Sequence, residues 1–172
     1  MIFDFSALSE VFLRLPDDAA VRMAEKICAY KRIFIYGAGR TGLMMKALAM
    51  RLAQTGRVVY VVGETVTPAI AAGDLLILAS ASGKTASVCR YARTALSIGA
   101  QLLILTAAAQ SPLTEIAPAD VCFDAPSKYD GQSAVSLMGT LFEQALLLFC
   151  DQVLLAMNED SAAMRARHAN LE

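Results

Sequence analysis

A single histidine, His168, is all that this 172-residue chain contains, and one imidazole leaves little material for a transition-metal centre. The four cysteines, Cys28, Cys89, Cys122 and Cys150, are widely spread and never form a C-x-x-C pair. That spread points away from a thiolate metal site or a disulfide framework and predicts reduced thiols in the core of a cytoplasmic protein. There is no long basic run and the net charge is −1, so nucleic acid is not an expected partner. Long apolar runs are missing too. The longest candidate, residues 141–157, is interrupted by Glu143, Gln144, Asp151 and Gln152, whereas a membrane span needs about 20 predominantly apolar residues. The first ten residues carry Asp4 and Glu10 and no basic cluster ahead of an apolar run, which argues against a signal peptide. Internal repeats and low-complexity linkers are likewise lacking.

What is present is apolar material, 56% of the chain, enough for a sizeable core with some helices buried all round. The length fits one domain. Its expected parts are N-terminal helices over 1–31, an α/β core over 32–157 and a charged C-terminal tail over 158–172. Apolar residues at helical spacing predict a first helix over 2–15. Pro16 with Asp17 and Asp18 then ends it and caps a second, over 19–30. Short apolar runs follow at 32–36, 57–62, 74–79, 101–106 and 121–123, each ending in a turn. Helical stretches separate most of them: 41–54, 86–98 and a short piece near 112–116. A polar loop over 126–132 leads into a last long helix. Runs apolar on both faces and separated by helices signal a parallel sheet covered on both sides. The expected architecture is a three-layer α/β/α sandwich with a five-stranded parallel sheet, Rossmann-like in outline. Met44, Met45 and Met50 read as core filling.

Open parallel sheets hold their ligands at the carboxyl ends of the strands, and two such ends carry unusual loops. The first strand runs into Gly37-Ala38-Gly39-Arg40-Thr41-Gly42, a G-x-G-x-x-G pattern whose glycines permit a tight turn and let amides approach an anion. The third runs into Ser80-Ala81-Ser82-Gly83-Lys84-Thr85, three hydroxyls around a glycine at the start of a helix, where side-chain donors and amides can converge on one phosphate. Glu64, just after the second strand, makes a dinucleotide site the obvious decoy. That reading leaves the second loop without a role and the chain without a substrate domain. An ordinary strand-to-helix turn with hydroxyl caps is the plain alternative for either loop alone; two at neighbouring strand ends point to a ligand.

At Ser80-x-Ser82-Gly83-x-Thr85 the chain resembles the SIS (sugar isomerase) domain family, which binds phosphosugars, and the resemblance covers nearly its whole length. The family's first loop, G-x-G-x-S, is matched by Gly37, Gly39 and Thr41. Within the family the chain is most similar to the 6-phospho-3-hexuloisomerase branch. The matching stretches are Gly37-Ala38-Gly39-Arg40, Val61-Val62-Gly63-Glu64-Thr65-Val66-Thr67-Pro68, Met138-Gly139-Thr140-Leu141-Phe142-Glu143-Gln144 and Arg167-His168-Ala169-Asn170-Leu171-Glu172. The resemblance implies conversion of D-arabino-3-hexulose 6-phosphate to fructose 6-phosphate in the ribulose monophosphate route, linked to formaldehyde. It also implies no metal or organic cofactor, a phosphosugar substrate and a homotetramer. Ser80, Ser82, Gly83 and Thr85 would bind phosphate, with Gly39 and Thr41 in the first loop. Two departures stand out: Lys84 replaces the family's common glutamate, and Val135-Ser136-Leu137 replaces a frequent Gln-Pro pair. The first leaves phosphate binding intact; the second bears on the sugar pocket. An arabinose 5-phosphate type of isomerase and a non-catalytic phosphosugar sensor are the alternatives.

Moving a carbonyl from C3 to C2 requires removing a proton from C2 and returning one to C3 through an enediol. One carboxylate on one face can do both. Glu143 is the candidate base, because Leu146, Leu147, Cys150 and Leu154 follow it on the same helical face and burial there raises a carboxyl pKa. A helix-start glutamate paired with a cation is its structural alternative. His168, singled out by the resemblance, would open the sugar ring or shuttle protons, which requires the tail to fold over a site, in its own or a neighbouring subunit. Arg40 would neutralise phosphate or an enediolate oxygen. Glu64 would hydrogen-bond sugar hydroxyls or brace its own loop.

Overall fold

The computed structural model describes residues 5–128 and 137–171. Two helices, α1 (Phe5–Leu13) and α2 (Ala19–Cys28), precede β1 (Arg32–Gly37), α3 (Gly39–Gln54) and β2 (Val58–Val61). Then come β3 (Leu75–Ser80), α4 (Ala86–Ile98), β4 (Gln101–Thr106) and β5 (Val121–Cys122), and last α5 (Thr140–Ala156) and α6 (Ser161–Ala166). The five strands form one all-parallel sheet in the order β2-β1-β3-β4-β5. In β3 every residue is buried, as a central strand with helices on both faces requires.

Strand periodicity of two sorts the core into two layers. Ile33, Ile35, Leu75, Ile77, Leu103 and Leu105 face the helices α1, α2, α3 and α5. Their alternates, Phe34, Leu76, Leu78, Leu102 and Ile104, face α4. The expected three-layer sandwich is therefore present, with one face far more heavily covered. From β1 the chain crosses outward through α3 to β2; from β3 it crosses the other way through α4 to β4. The loops after β1 and β3 part at this reversal, and a crevice opens between them.

Glycine decides how closely α3 sits on β1. A methyl group on Gly42 would lie 2.4 Å from the carbonyl oxygen of Gly37, backbone against backbone, so neither partner can turn aside. Gly42→Ala is expected to cost about 1–3 kcal/mol as an overpacked contact. A thermal melt should show it as a loss of roughly 2–4 °C per kcal/mol.

Several expectations need correction. Residues 112–116 form turns rather than a helix, and the tail contains α6. Asp160 starts that helix by accepting from the amides of Ala162 and Ala163 at 3.1 and 3.2 Å, a cap that a charged tail conceals when read only for composition. Asp18 does not cap α2; its carboxylate takes Arg22 instead, at 3.1 Å. Cys28 and Cys122 are exposed while Cys89 and Cys150 are buried, and Met50 points to solvent. Residues 2–4 of the expected first helix lie outside the described residues, as do Val135, Ser136 and Glu172. Among the described residues no helix is long and apolar enough to cross a membrane.

Candidate active site

The crevice between β1 and β3 holds a cavity of about 320 Å³. Three helices begin at its wall: α3 at Ala38 and Gly39, α4 at Thr85 and α5 at Gly139. None has a side-chain cap, so their positive dipole ends are available to a bound anion, although the first amide of α5, that of Thr140, already donates to the Leu137 carbonyl at 3.1 Å. Ala38 and Gly139 have no side chain able to cap. Thr85 has one but turns it elsewhere: its hydroxyl lies 3.2 Å from the Ser80 hydroxyl. The two therefore present a hydroxyl pair to the cavity, and the reading of this loop as a hydroxyl-capped turn fails for Thr85.

Ser82 lines the same wall, its oxygen accepting from the Lys84 amide at 3.3 Å. Thr106 braces the loop from β4 by donating its hydroxyl to the Ser80 carbonyl at 2.7 Å. Gly83 does different work from that expected. Its amide closes the turn on the Ser80 carbonyl at 3.2 Å, and it does not line the cavity. With φ at +60° and a would-be methyl 2.1 Å from the Ser111 hydroxyl, it is a steric requirement of the loop. Lys84 faces a separate surface hollow shared with Ser111 and Glu115, away from the phosphate position assumed for it.

From β1 come Gly39, Arg40 and Thr41, all on the cavity wall. Opposite them stands Glu143 in the first turn of α5. Phe123 at the end of β5 meets Phe142 and Phe149 edge-on, at centroid distances of 5.6 and 5.4 Å, which locks α5 against the sheet and aims Glu143 inward. Glu143 is 8% exposed. Its Oε2 lies 2.6 Å from Nε of Arg40, yet that oxygen has no partner in hydrogen-bonding geometry. The contact is a charge pair, poorly aligned for proton donation. Burial lifts the Glu143 pKa above the ordinary carboxylate value, and the Arg40 charge only partly opposes it.

That shift has a consequence for stability. The native protein keeps the Glu143 proton over a pH range in which the unfolded chain, titrating near 4.5, has already lost it. The group's contribution to stability therefore falls as pH rises through that range. Glu143→Gln removes the titration, and Arg40, mostly in solvent, loses little. The variant is expected to melt at the wild-type temperature below pH 4 and progressively above it at higher pH, levelling off once Glu143 is ionised in the native state. Melting curves of both proteins from about pH 3.5 to 8 would check this.

Two expected site residues are not brought to the cavity. Glu64 pairs with Lys46 at 2.6 Å and lines a smaller hollow of about 170 Å³ beside Gly37 and Gly42. The pair ties the loop after the edge strand β2 to α3. His168 follows α6, where Arg167 donates to the Gln54 carbonyl at 3.2 Å. That contact places the tail at the C-terminal end of α3, one helix length from Gly39, or about 24 Å for its 16 residues. Within one chain His168 cannot reach the cavity. Ser127, Lys128, Met138 and Gly139 also line the wall, and none of them was expected as a site residue. The polar pair after β5 carried a usable signal, since polar residues beyond a parallel strand end face the ligand side. Met138 opened a stretch that resembles the family, but its φ of +56° follows from a turn that composition does not show.

The SIS domain family matches residues 26–148. The 3-hexulose-6-phosphate isomerase of Mycobacterium gastri is 41% identical over 91% of this chain and 81% of that protein. That of Bacillus subtilis strain 168 is 40% identical over 92% of this chain and 89% of its own. A solved structure from Methanococcus jannaschii, from which a function as 3-hexulose-6-phosphate isomerase has been inferred, superposes with a TM-score of 0.80 at 31% identity, covering 96% of this chain and 93% of that one. The crevice at the strand-order reversal, the hydroxyl loop after β3 and these similarities agree: the chain belongs to the SIS domain family.

Proposed function

We propose that the protein is a 3-hexulose-6-phosphate isomerase, interconverting D-arabino-3-hexulose 6-phosphate and fructose 6-phosphate in the ribulose monophosphate route. One observation carries this reading. A single cavity joins a hydroxyl loop and three helix starts without side-chain caps, suited to a phosphate, to a buried carboxylate whose pKa is raised, suited to a proton transfer. Relatives of that name at 41% and 40% identity support the choice among phosphosugar isomerases.

Ser80, Ser82 and Thr85 hold the phosphate at the start of α4, with Gly39 and Thr41 closing the opposite side. Glu143 takes the C2 proton, the electron pair forms the C2–C3 double bond, and the carbonyl pair moves onto O3. After a proton passes from O2 to O3, Glu143 returns its proton to C3 and the carbonyl stands at C2. Arg40 favours the ionised form of Glu143, partly opposing the effect of burial. The raised pKa gives the carboxylate the basicity that abstraction next to a carbonyl demands.

One SIS domain spanning the chain, a cytoplasmic setting, a link to formaldehyde and a homotetramer belong to the same proposal. Four free cysteines support the setting. Exposed apolar side chains along the helical face, Phe5, Leu13, Val21, Leu43 and Leu155, support assembly, which is also the arrangement that would bring His168 to a neighbour's cavity. The test is a coupled assay. 3-Hexulose 6-phosphate is made in situ from ribulose 5-phosphate and formaldehyde, and fructose 6-phosphate is followed. Turnover above about 1 s⁻¹ is expected. No turnover, with phosphosugars still raising the melting temperature, would move the protein to another substrate or to sensing.

A further inference from the structure

Almost every side chain on the cavity wall is small or polar. Among the described residues of that wall, Met138 alone carries an apolar side chain larger than alanine's. A phosphosugar offers hydroxyls that polar groups can meet, but its carbon chain also presents C–H groups, and covering those takes an apolar surface. Met138 can supply one. It does not serve the core, since it is 67% exposed.

Its backbone is costly. Leu137 to Thr140 form a tight turn in which the Thr140 amide donates to the Leu137 carbonyl at 3.1 Å. Both central residues have positive φ, +56° at Met138 and +85° at Gly139. That is the pattern of a type I′ turn, whose first central position favours asparagine, aspartate or glycine. A methionine there crowds its Cβ against the backbone, and little packing is gained in return. The placement has a second feature. Gly139 is the N-cap of α5, so Met138 precedes the cap and Glu143 is the fourth helical residue. Those are the two positions whose side chains meet in a hydrophobic staple. Here the partner position holds the candidate base, so a methionine that closes over a bound ligand arrives beside Glu143. Strain kept at a cavity wall without a packing reward points to a ligand, and a thioether with three rotatable bonds adapts to an irregular carbon chain.

We propose that Met138 is a substrate-binding residue of this site, its thioether side chain closing over the C–H face of an open-chain ketose phosphate between the phosphate loop and Glu143. The contact buries apolar surface on both partners. It reads the carbon chain and not the phosphate, so it selects a phosphosugar over free phosphate. This inference rests on the proposed function, and on its phosphosugar binding in particular.

Three measurements on the full-length protein test it. Met138→Asn, which brings a side chain suited to positive φ, is expected to melt about 2–4 °C above wild type. In the coupled assay its kcat/KM should nevertheless fall about 10-fold, the scale of one part-buried apolar side chain. Met138→Leu, which restores the apolar bulk, should recover most of that loss. In thermal shift, glucitol 6-phosphate has the open carbon chain but no carbonyl to isomerise, and it should stabilise wild type more than inorganic phosphate does. Met138→Asn should lose that difference while its phosphate shift stays at the wild-type value. A higher melting temperature with unchanged kcat/KM and an unchanged preference for glucitol 6-phosphate overturns the proposal. So does an equal fall in the phosphate shift itself, which would make Met138 a prop of the phosphate loop. In both cases wild-type turnover leaves the isomerase reading standing. A wild-type protein that does not turn over the ketose, but whose preference for glucitol 6-phosphate depends on Met138, loses the isomerase reading alone. A wild-type protein with neither turnover nor that preference overturns both.

Discussion

Glu143→Gln is expected to lower kcat by about 10²- to 10⁴-fold, the range for removing a positioned general base, while binding of inorganic phosphate stays at the wild-type level. The prediction follows from where the carboxylate is. It is buried, its Oε2 has no hydrogen-bonding partner, and the imperfectly aligned Arg40 charge only partly opposes the upward push that burial gives its pKa. A buried acceptor left without a donor costs stability; retained at a cavity wall, such a group is a candidate for chemistry. In wild type, kcat/KM should rise with pH as Glu143 loses its proton, with a midpoint above the ordinary carboxylate value because burial favours the neutral form. The Gln variant should lose that dependence together with the rate. Near-normal turnover in Glu143→Gln would remove the base assignment. A phosphosugar sensor would keep full ligand binding in this variant with no turnover in the wild type either, so the comparison separates the two classes.

The second large effect concerns the phosphate loop. Replacing both hydroxyls at once, Ser80→Ala with Thr85→Val, is expected to reduce kcat/KM by about 10²- to 10⁴-fold and to abolish the thermal shift given by inorganic phosphate. Each hydrogen bond to a charged group contributes roughly 1.5–3 kcal/mol, and two are removed. The fold should survive. Thr85 caps nothing, valine keeps its shape, and the two hydroxyls that now face each other at 3.2 Å leave together. Removing both partners of a hydrogen bond is far milder than orphaning one. A double variant that melts like wild type and still shifts with phosphate would mean that the anion sits elsewhere along the three helix starts.

Much of this arrangement was legible beforehand, for identifiable reasons. A strand such as Leu75–Ser80, apolar on both faces, must lie inside a covered parallel sheet, so strand positions and layer count could be read within a residue or two. Gly37, Gly39 and Gly42 announced a tight strand-to-helix turn, and Glu143 announced itself as an acid set in an apolar helical face. Legibility ended where a residue's partner lies far along the chain. Lys46 turns out to pair with Glu64 across two elements, removing from the cavity an acid whose position after a strand had suggested ligand binding. Arg167 ties the tail to the end of α3, carrying His168 away from the cavity of its own chain. Gly83 looked like a phosphate amide but is required by Ser111, 28 positions later, whose hydroxyl fills the space a side chain would need.

By itself, then, the sequence determined the sheet, its two faces and the identity of the loops at the ends of β1 and β3, because periodicity and turn chemistry are local and burial acts on each element separately. Only the tertiary structure decided which polar groups share the cavity. Strand order brings two loops 43 positions apart, beginning at Gly37 and Ser80, to one crevice, and α5 lays Glu143 opposite Arg40, 103 positions away along the chain. Charge pairing and desolvation depend on distances of a few ångströms, and those distances exist only once the chain has packed.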